Sequence, residues 1–247
     1  MLRAYLRLSG LVASASLALA VHRIAVRREG PSEIRARARL RSWCRQAWRW
    51  LGLSVAMRGD VPAQPCVYVA NHRTYLDILV LAGLLDATFL SRGDVSTWAL
   101  VGRAARDTGV VFVDRGDAHA RALAARRVAR LLGVGSLIVF PEGTTTGEPL
   151  PARFEGGLFR MLHRAGVPIV PVTLRYSRRE VYWVDDSTPG AHLLANVLTG
   201  PLRVEVSLGD AVRPEAHGHA RGLRDAVHHA VSEPIQAMGE CPADASG

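Results

Sequence analysis

The chain has no lysine; all 31 of its basic residues are arginine. Uniform arginine beside abundant alanine reads as genome composition rather than as chemistry. Cysteine is scarce, and Cys44, Cys66 and Cys241 are far apart. No even disulfide framework and no C-x-x-C metal pair can be drawn from them, so a reducing compartment is the natural setting. The nine histidines form no H-E-x-x-H pattern, which removes the familiar zinc signature. No internal repeat, no low-complexity block and no aromatic-plus-glycine RNA motif is present, so solenoids and the common RNA-binding modules are excluded.

What is present is apolar and basic. The 247 residues are 49% hydrophobic, enough for one large α/β domain with an appendage. A net charge of +9 suits an anionic partner: a phosphate ester, an anionic membrane or nucleic acid. The strongest apolar stretch is near the start, Leu8 to Val21, bracketed by Arg3 and Arg7 before and by Arg23, Arg27 and Arg28 after. Fourteen helical residues reach about 21 Å, short of a bilayer's ~30 Å core. A cleaved leader, a spanning helix stretched to Val26 and a shallow inserted anchor all fit. The dense arginine that follows favours an uncleaved anchor over residues 8–26, with the body at the cytoplasmic face of the cell membrane. Residues 32–57 repeat Leu40, Trp43, Cys44, Ala47, Trp50 and Leu51 at helical spacing, with arginine between. This predicts a second, amphipathic helix, either in the membrane interface or packed on the protein's own core, with the membrane reading favoured. Residues 1–58 are therefore read as a membrane-associated helical segment, 59–238 as the main domain and 239–247 as a disordered tail.

The main domain alternates in the α/β manner. Strands are predicted at Val67–Ala70, Ala87–Ser91, Val110–Val113, Ser136–Phe140, Ile169–Tyr176, Val181–Val184 and Leu202–Leu208. Helices are predicted at Asp77–Leu85, Val95–Thr108, Ala118–Leu132, Glu155–Ala165 and Ala220–Met238. The fold class is a single α/β domain with a central mixed sheet flanked by helices, preceded by the anchoring segment.

Polar clusters follow four of the strands, where ligands bind in open α/β sheets. After the first comes Asn71-His72-Arg73-Thr74-Tyr75-Leu76-Asp77. A histidine there can accept a hydroxyl proton, and a carboxylate behind it can hold the ring's tautomer. Thr74 and Asp77 also form a capping-box pattern, so Asp77 could simply start a helix. The second cluster runs Gly109-x-x-Phe112-x-x-Arg115, the third Phe140-Pro141-Glu142-Gly143-Thr144-Thr145-Thr146, and the fourth Val167-Pro168-Ile169-Val170-Pro171. Arg115 can fork onto a phosphate, Glu142 can hold Arg115 or a hydroxyl, and Gly143 lets backbone approach a ligand. Pro168 and Pro171 flank a short apolar strand holding Val170, which can line a hydrocarbon tunnel or frame an edge strand.

These four blocks, in this order, resemble the glycerolipid acyltransferase family, over about Val55 to Leu208. The nearest branch looks like the bacterial 1-acylglycerol-3-phosphate acyltransferases. The resemblance implies acyl transfer from acyl-CoA or acyl carrier protein to a lysophospholipid hydroxyl at a membrane, with no cofactor and no metal. His72 would be the general base and Asp77 would orient it. Asn71, Phe112, Arg115, Glu142, Gly143 and Thr144 would form the acceptor site, and Val170 and Pro171 would belong to the fourth block. Three positions depart from the family's usual pattern. Arg92 stands for a lysine, Glu155 reverses a positive charge and Thr145 stands for an arginine. The expected acceptor is 1-acylglycerol-3-phosphate. The two changes that lower positive charge leave room for a less anionic lyso-lipid, such as a lyso-ornithine lipid. A non-catalytic lipid-binding protein is the alternative of another class, and nucleic acid is not an expected partner.

Overall fold

Val67–Ala70, strand β2, is buried on both faces, as a strand covered by helices on each side must be. The computed structural model describes residues 2–92, 106–113, 118–184 and 187–237. The predicted helix at Val95–Thr108 and the tail at 239–247 fall largely or wholly outside them, and so does Arg115.

Seven strands form one sheet: β1 (Leu53–Arg58), β2, β3 (Ala87–Arg92), β4 (Val111–Val113), β5 (Ser136–Val139), β6 (Ile169–Tyr176) and β7 (Leu202–Leu208). Their order is β1-β7-β6-β2-β5-β3-β4, and only the β6–β7 pair is antiparallel. The expected mixed α/β sheet is therefore found. One face carries the core built on Tyr68, Ala70, Ile138, Val170, Val172 and Leu174 beneath α2 (Glu33–Leu51) and α3 (Leu76–Leu84). The other carries Val67, Val69, Leu137 and Val139 beneath α4 (Ala118–Leu132), α5 (Gly156–Ala165) and α6 (Ala220–Ala237).

Two boundaries differ from the sequence reading. The helix predicted over residues 32–57 stops at Leu51, where Gly52 at φ +70° ends it, and Leu53–Arg58 pairs with β7 as an outer strand of the sheet. A domain border after residue 58 would part that strand from the sheet it belongs to. The predicted strand Val181–Val184 is a 3-10 turn (Arg179–Val181) and an extended segment outside the sheet. β6 already has β2 and β7 on its two sides, which leaves this segment no edge there to join.

The amphipathic helix is also turned the other way. Ala36, Cys44, Ala47 and Leu51 of α2 are buried, and Trp43 packs against the sheet core. Trp48 lies over Gly83 of α3 and donates through Nε1 to the Leu79 carbonyl. Arg45 donates to the Gly83 carbonyl at 2.7 Å, a cation at the negative end of α3. Arg37 and Arg41 meet Asp86, and Arg35 and Arg39 meet Glu29. These exposed pairs are each worth ~0–1 kcal/mol, so they orient the helix, and buried apolar area holds it. Arg35, Arg37, Arg39, Arg41 and Arg45 thus have partners inside the protein, and the apolar stripe between them covers the sheet face.

The helix α1 (Leu2–Glu29) leans on this cover. Ala4, Leu8 and Leu11 pack against the core, and Gly10 lets Trp50 of α2 approach. Leu6, Val12, Leu17, Val21 and Ile24 point outward and are exposed. By length and composition α1 could cross a membrane, and no other described helix meets that test.

The close contact at Gly83 gives a direct check. Alanine in a helix gains about 1 kcal/mol over glycine, but a Cβ here would sit 2.2 Å from the Trp48 ring. Overpacking costs ~1–3 kcal/mol and wins. Gly83→Ala should lower the urea midpoint, while Gly190→Ala, in the short helix Pro189–His192 with nothing within 4 Å, should hold or raise it. A stabilised Gly83→Ala protein would show that the α2–α3 contact is looser than described.

Candidate active site

β2 delivers the chain to the site and α3 takes it away. After Ala70 the backbone turns, and the side chain of Asn71 continues the sheet in place of a peptide. Its Nδ2 donates to the Leu174 carbonyl at 3.0 Å, and its Oδ1 accepts from the Leu174 N–H at 2.7 Å. Both ends of the amide are thus committed, and the residue is 0% exposed. Asn71, expected to bind substrate, is instead a clip that fixes β6 against the end of β2.

His72 follows, with Nδ1 2.8 Å from Oδ2 of Asp77. The Asp77 side chain is wholly buried and that of His72 is 17% exposed, so the ring is the member of the pair that meets solvent. Oδ2 also accepts from the N–H groups of Arg73 at 2.6 Å and Thr74 at 3.0 Å. This is the carboxylate half of a capping box. The hydroxyl half is missing, for Thr74 Oγ1 is buried without a partner among the described residues. The cap and the ring share one oxygen, which ties the start of α3 to the orientation of His72. Phe140, stacked on the imidazole at 4.1 Å between centroids and 16° between planes, fixes the ring's tilt.

The loop after β5 is bolted to this turn from both sides. Glu142 accepts from the His72 N–H through Oε1 and from the Ala152 N–H through Oε2, both at 2.7 Å. Thr146 N–H donates to the His72 carbonyl. Arg73, 2% exposed, donates to the carbonyls of Thr146 and Pro149 and lies over the Tyr182 ring. Glu142, read as a partner for Arg115 or a hydroxyl, has both oxygens on main chain. Burial pushes its carboxyl above the usual carboxylate range, against the two N–H donors and the charges of Arg73 and His72, which pull it down.

Gly143, at φ +75°, makes the turn and donates its N–H to the Phe140 carbonyl, so that N–H is not free for an oxyanion. Thr144 is exposed beside it. Thr145 Oγ1 donates to the Trp183 carbonyl and so gives the position a job of its own. Phe112 packs on the core face shared with Phe140 and Ala70. Val170 and Pro171 lie within β6, a strand inside the sheet, and are buried; Val170 belongs to the core and does not frame an edge. Three contributors escaped the sequence reading: Arg73, Tyr176 and the Tyr182–Trp183 segment, which crosses the turn through a Trp183 N–H to Arg73 carbonyl bond. Nothing in spacing marks Arg73. Spacing does not mark Tyr176 either, because β6 is buried along nearly its whole length and shows no alternation.

Among the described residues none hydrogen-bonds Nε2 of His72. Cys66 sits at the opposite end of β2, beside Ser136, and burial pushes its thiol up. The arrangement is a histidine with one nitrogen held and the other presented outward, suited to taking a proton from an incoming hydroxyl. Glu142→Gln should lose ~1–3 kcal/mol of stability, since its amide NH₂ must face an N–H donor. Denaturant titration with the acyl-transfer rate would show both falling; an unchanged midpoint would mean the two hydrogen bonds do not hold the loop.

A family model described as Acyltransferase matches residues 53–175. A lyso-ornithine lipid O-acyltransferase of Pseudomonas aeruginosa is 33% identical over 199 residues, 81% of this chain and 70% of that protein. The 1-acyl-sn-glycerol-3-phosphate acyltransferase BAT2, chloroplastic, of Brassica napus is 36% identical over 112 residues, 44% of this chain and 33% of that protein. The crystal structure of the 1-acyl-sn-glycerophosphate acyltransferase PlsC from Thermotoga maritima has the same fold. The TM-score is 0.69 at 18% identity, over 96% of this chain and all of that one.

Proposed function

The chain belongs to the acyltransferase family, and on that footing we propose that it acylates a lyso-lipid hydroxyl, with His72 as general base and Asp77 as its orienting carboxylate. The observation that carries this is the held Nδ1 and the unclaimed Nε2 of one ring. Nε2 takes the acceptor's hydroxyl proton as the oxygen attacks the thioester carbonyl of acyl-CoA or acyl carrier protein. The C–S bond then breaks, and the imidazolium returns the proton to the leaving thiolate. Acyl passes directly to the acceptor, and no enzyme nucleophile is required.

The acceptor we favour is a lyso-ornithine lipid. The relative bearing that name matches along 81% of this chain, whereas the 1-acyl-sn-glycerol-3-phosphate acyltransferase of Brassica napus matches along 44%. Thr145, where an arginine is common, is engaged with Trp183, and Glu155 brings negative charge nearby. The second reading, 1-acylglycerol-3-phosphate, rests on Arg115 as a phosphate fork. With labelled acyl-CoA and acyl carrier protein, lyso-ornithine lipid should be turned over faster than 1-acylglycerol-3-phosphate. The opposite order would reverse the assignment. His72→Ala should lower turnover by ~10²–10⁴-fold, and an active His72→Ala enzyme would remove the base assignment.

The outward face of α1 supports membrane attachment on the side where α1 and α2 lie. The inner side of its first half is packed on the protein, so α1 lying along the bilayer disturbs the fold less than α1 crossing it. Exchanging Leu6, Leu17 and Ile24 for aspartate should release the protein from anionic liposomes in co-sedimentation; retained binding would place attachment elsewhere.

A further inference from the structure

Asp77 has a donor that lies in none of the four sequence blocks. Tyr176, the last residue of β6, donates its hydroxyl to Oδ1 of Asp77 at 2.5 Å. It is 0% exposed and among the largest fully buried side chains of the protein. Its place follows from the clip described above. Asn71 fixes Leu174 against the end of β2, and Tyr176, two residues on, points into the same core face. Strand register therefore sets where the hydroxyl falls.

The carboxylate is divided by this arrangement. Oδ2 meets His72 Nδ1 and two backbone N–H groups, all from its own turn; Oδ1 meets Tyr176 from across the sheet. The other titratable or charged groups around the pair are Tyr75 and Tyr182 near the phenol, and Arg73 and Glu142 beyond the turn. The Arg73 guanidinium bonds carbonyls, and Glu142 bonds main-chain N–H groups, so among the described residues no arginine pairs with Asp77. Burial first, then the charge of Asp77, pushes the phenol well above its ordinary range, which keeps it a donor throughout neutral pH.

We propose that Tyr176 is a positioning residue for acyl transfer, holding Oδ1 of Asp77 so that Oδ2 stays aimed at His72 and part of the carboxylate's charge is drawn away from the ring. The inference rests on the reading of His72 as the base. Without the hydroxyl, Oδ1 lacks a donor in a site closed to water, and the carboxylate is free to turn about Cβ–Cγ toward one. More of its charge also falls on His72, which then holds an extra proton to higher pH, and the protonated ring cannot act as base.

The test is the pH profile of kcat/KM for the full-length enzyme carrying Tyr176→Phe. At neutral pH kcat should fall about tenfold or more, with KM for both substrates within about twofold. The acid limb should move to higher pH by about half a unit or more. An unmoved acid limb overturns the proposal, whether kcat is unchanged or merely falls along with Tm. Should the phenylalanine variant fail to fold, 3-fluorotyrosine at position 176 decides. It keeps the shape and donates more strongly, so the acid limb should move to lower pH; no movement overturns the proposal. His72→Ala serves as the separate control. If it remains active, the base reading has failed; if it is inactive while both Tyr176 replacements keep the wild-type profile, only the role of Tyr176 has failed.

Discussion

A carboxylate closed off from water must be met by donors, and Asp77 is met by four: His72, two backbone N–H groups and Tyr176. A buried carboxylate left unmet would cost several kcal/mol, and hydrogen bonds to a charged group each return ~1.5–3 kcal/mol. Those four donors come from the turn after β2 and from a strand distant in sequence, and the carboxylate they meet sits in the first turn of α3. Satisfying one side chain therefore draws together the end of β2, the start of α3 and the end of β6. The ring of His72 inherits its aim from that requirement.

The second constraint works on the backbone of the same turn. His72 donates its N–H to Glu142 and accepts at its carbonyl from Thr146, so the peptide carrying the ring is gripped on both sides by the loop after β5. Arg73 closes the far end of that loop by taking the carbonyls of Thr146 and Pro149. Buried polar networks of this kind hold one geometry only when each member is satisfied. Here the satisfied network leaves Nε2 of His72 without a hydrogen-bond partner among the described residues. The helix α1, its first half packed beside α2 on the sheet cover, leaves an apolar face exposed and is long and apolar enough to cross a membrane.

Much of this was readable from the residues, and the failures have physical causes. Four strands ending in polar clusters pointed to the ligand-binding edge of an open sheet, and His72 with Asp77 was legible because a capping spacing and a base-carboxylate spacing coincide. Asn71 and Glu142 stood in the right blocks, but spacing could not tell a ligand from a clip: an amide and a carboxylate serve main chain as readily as substrate. The Trp-rich arginine helix looked like a membrane helix because the same stripe suits a lipid surface or a sheet face, and only the fold shows which was available. The strand Leu53–Arg58 follows the helix after a single residue, Gly52, whose left-handed conformation ends one element and starts the next with no polar linker to mark the border. Tyr176 and Arg73 act through contacts about 70 to 100 residues away in sequence, beyond any local pattern.

The central claim is that Asp77 holds His72 with Nδ1 protonated and Nε2 bare. It is tested most directly by the side-chain nitrogen resonances of His72 in protein labelled with 15N-histidine, recorded where the ring is neutral. The account predicts a single Nδ1–H tautomer that gives way to a mixture in Asp77→Asn. A neutral His72 protonated at Nε2, or one already mixed in the wild-type protein, would contradict it.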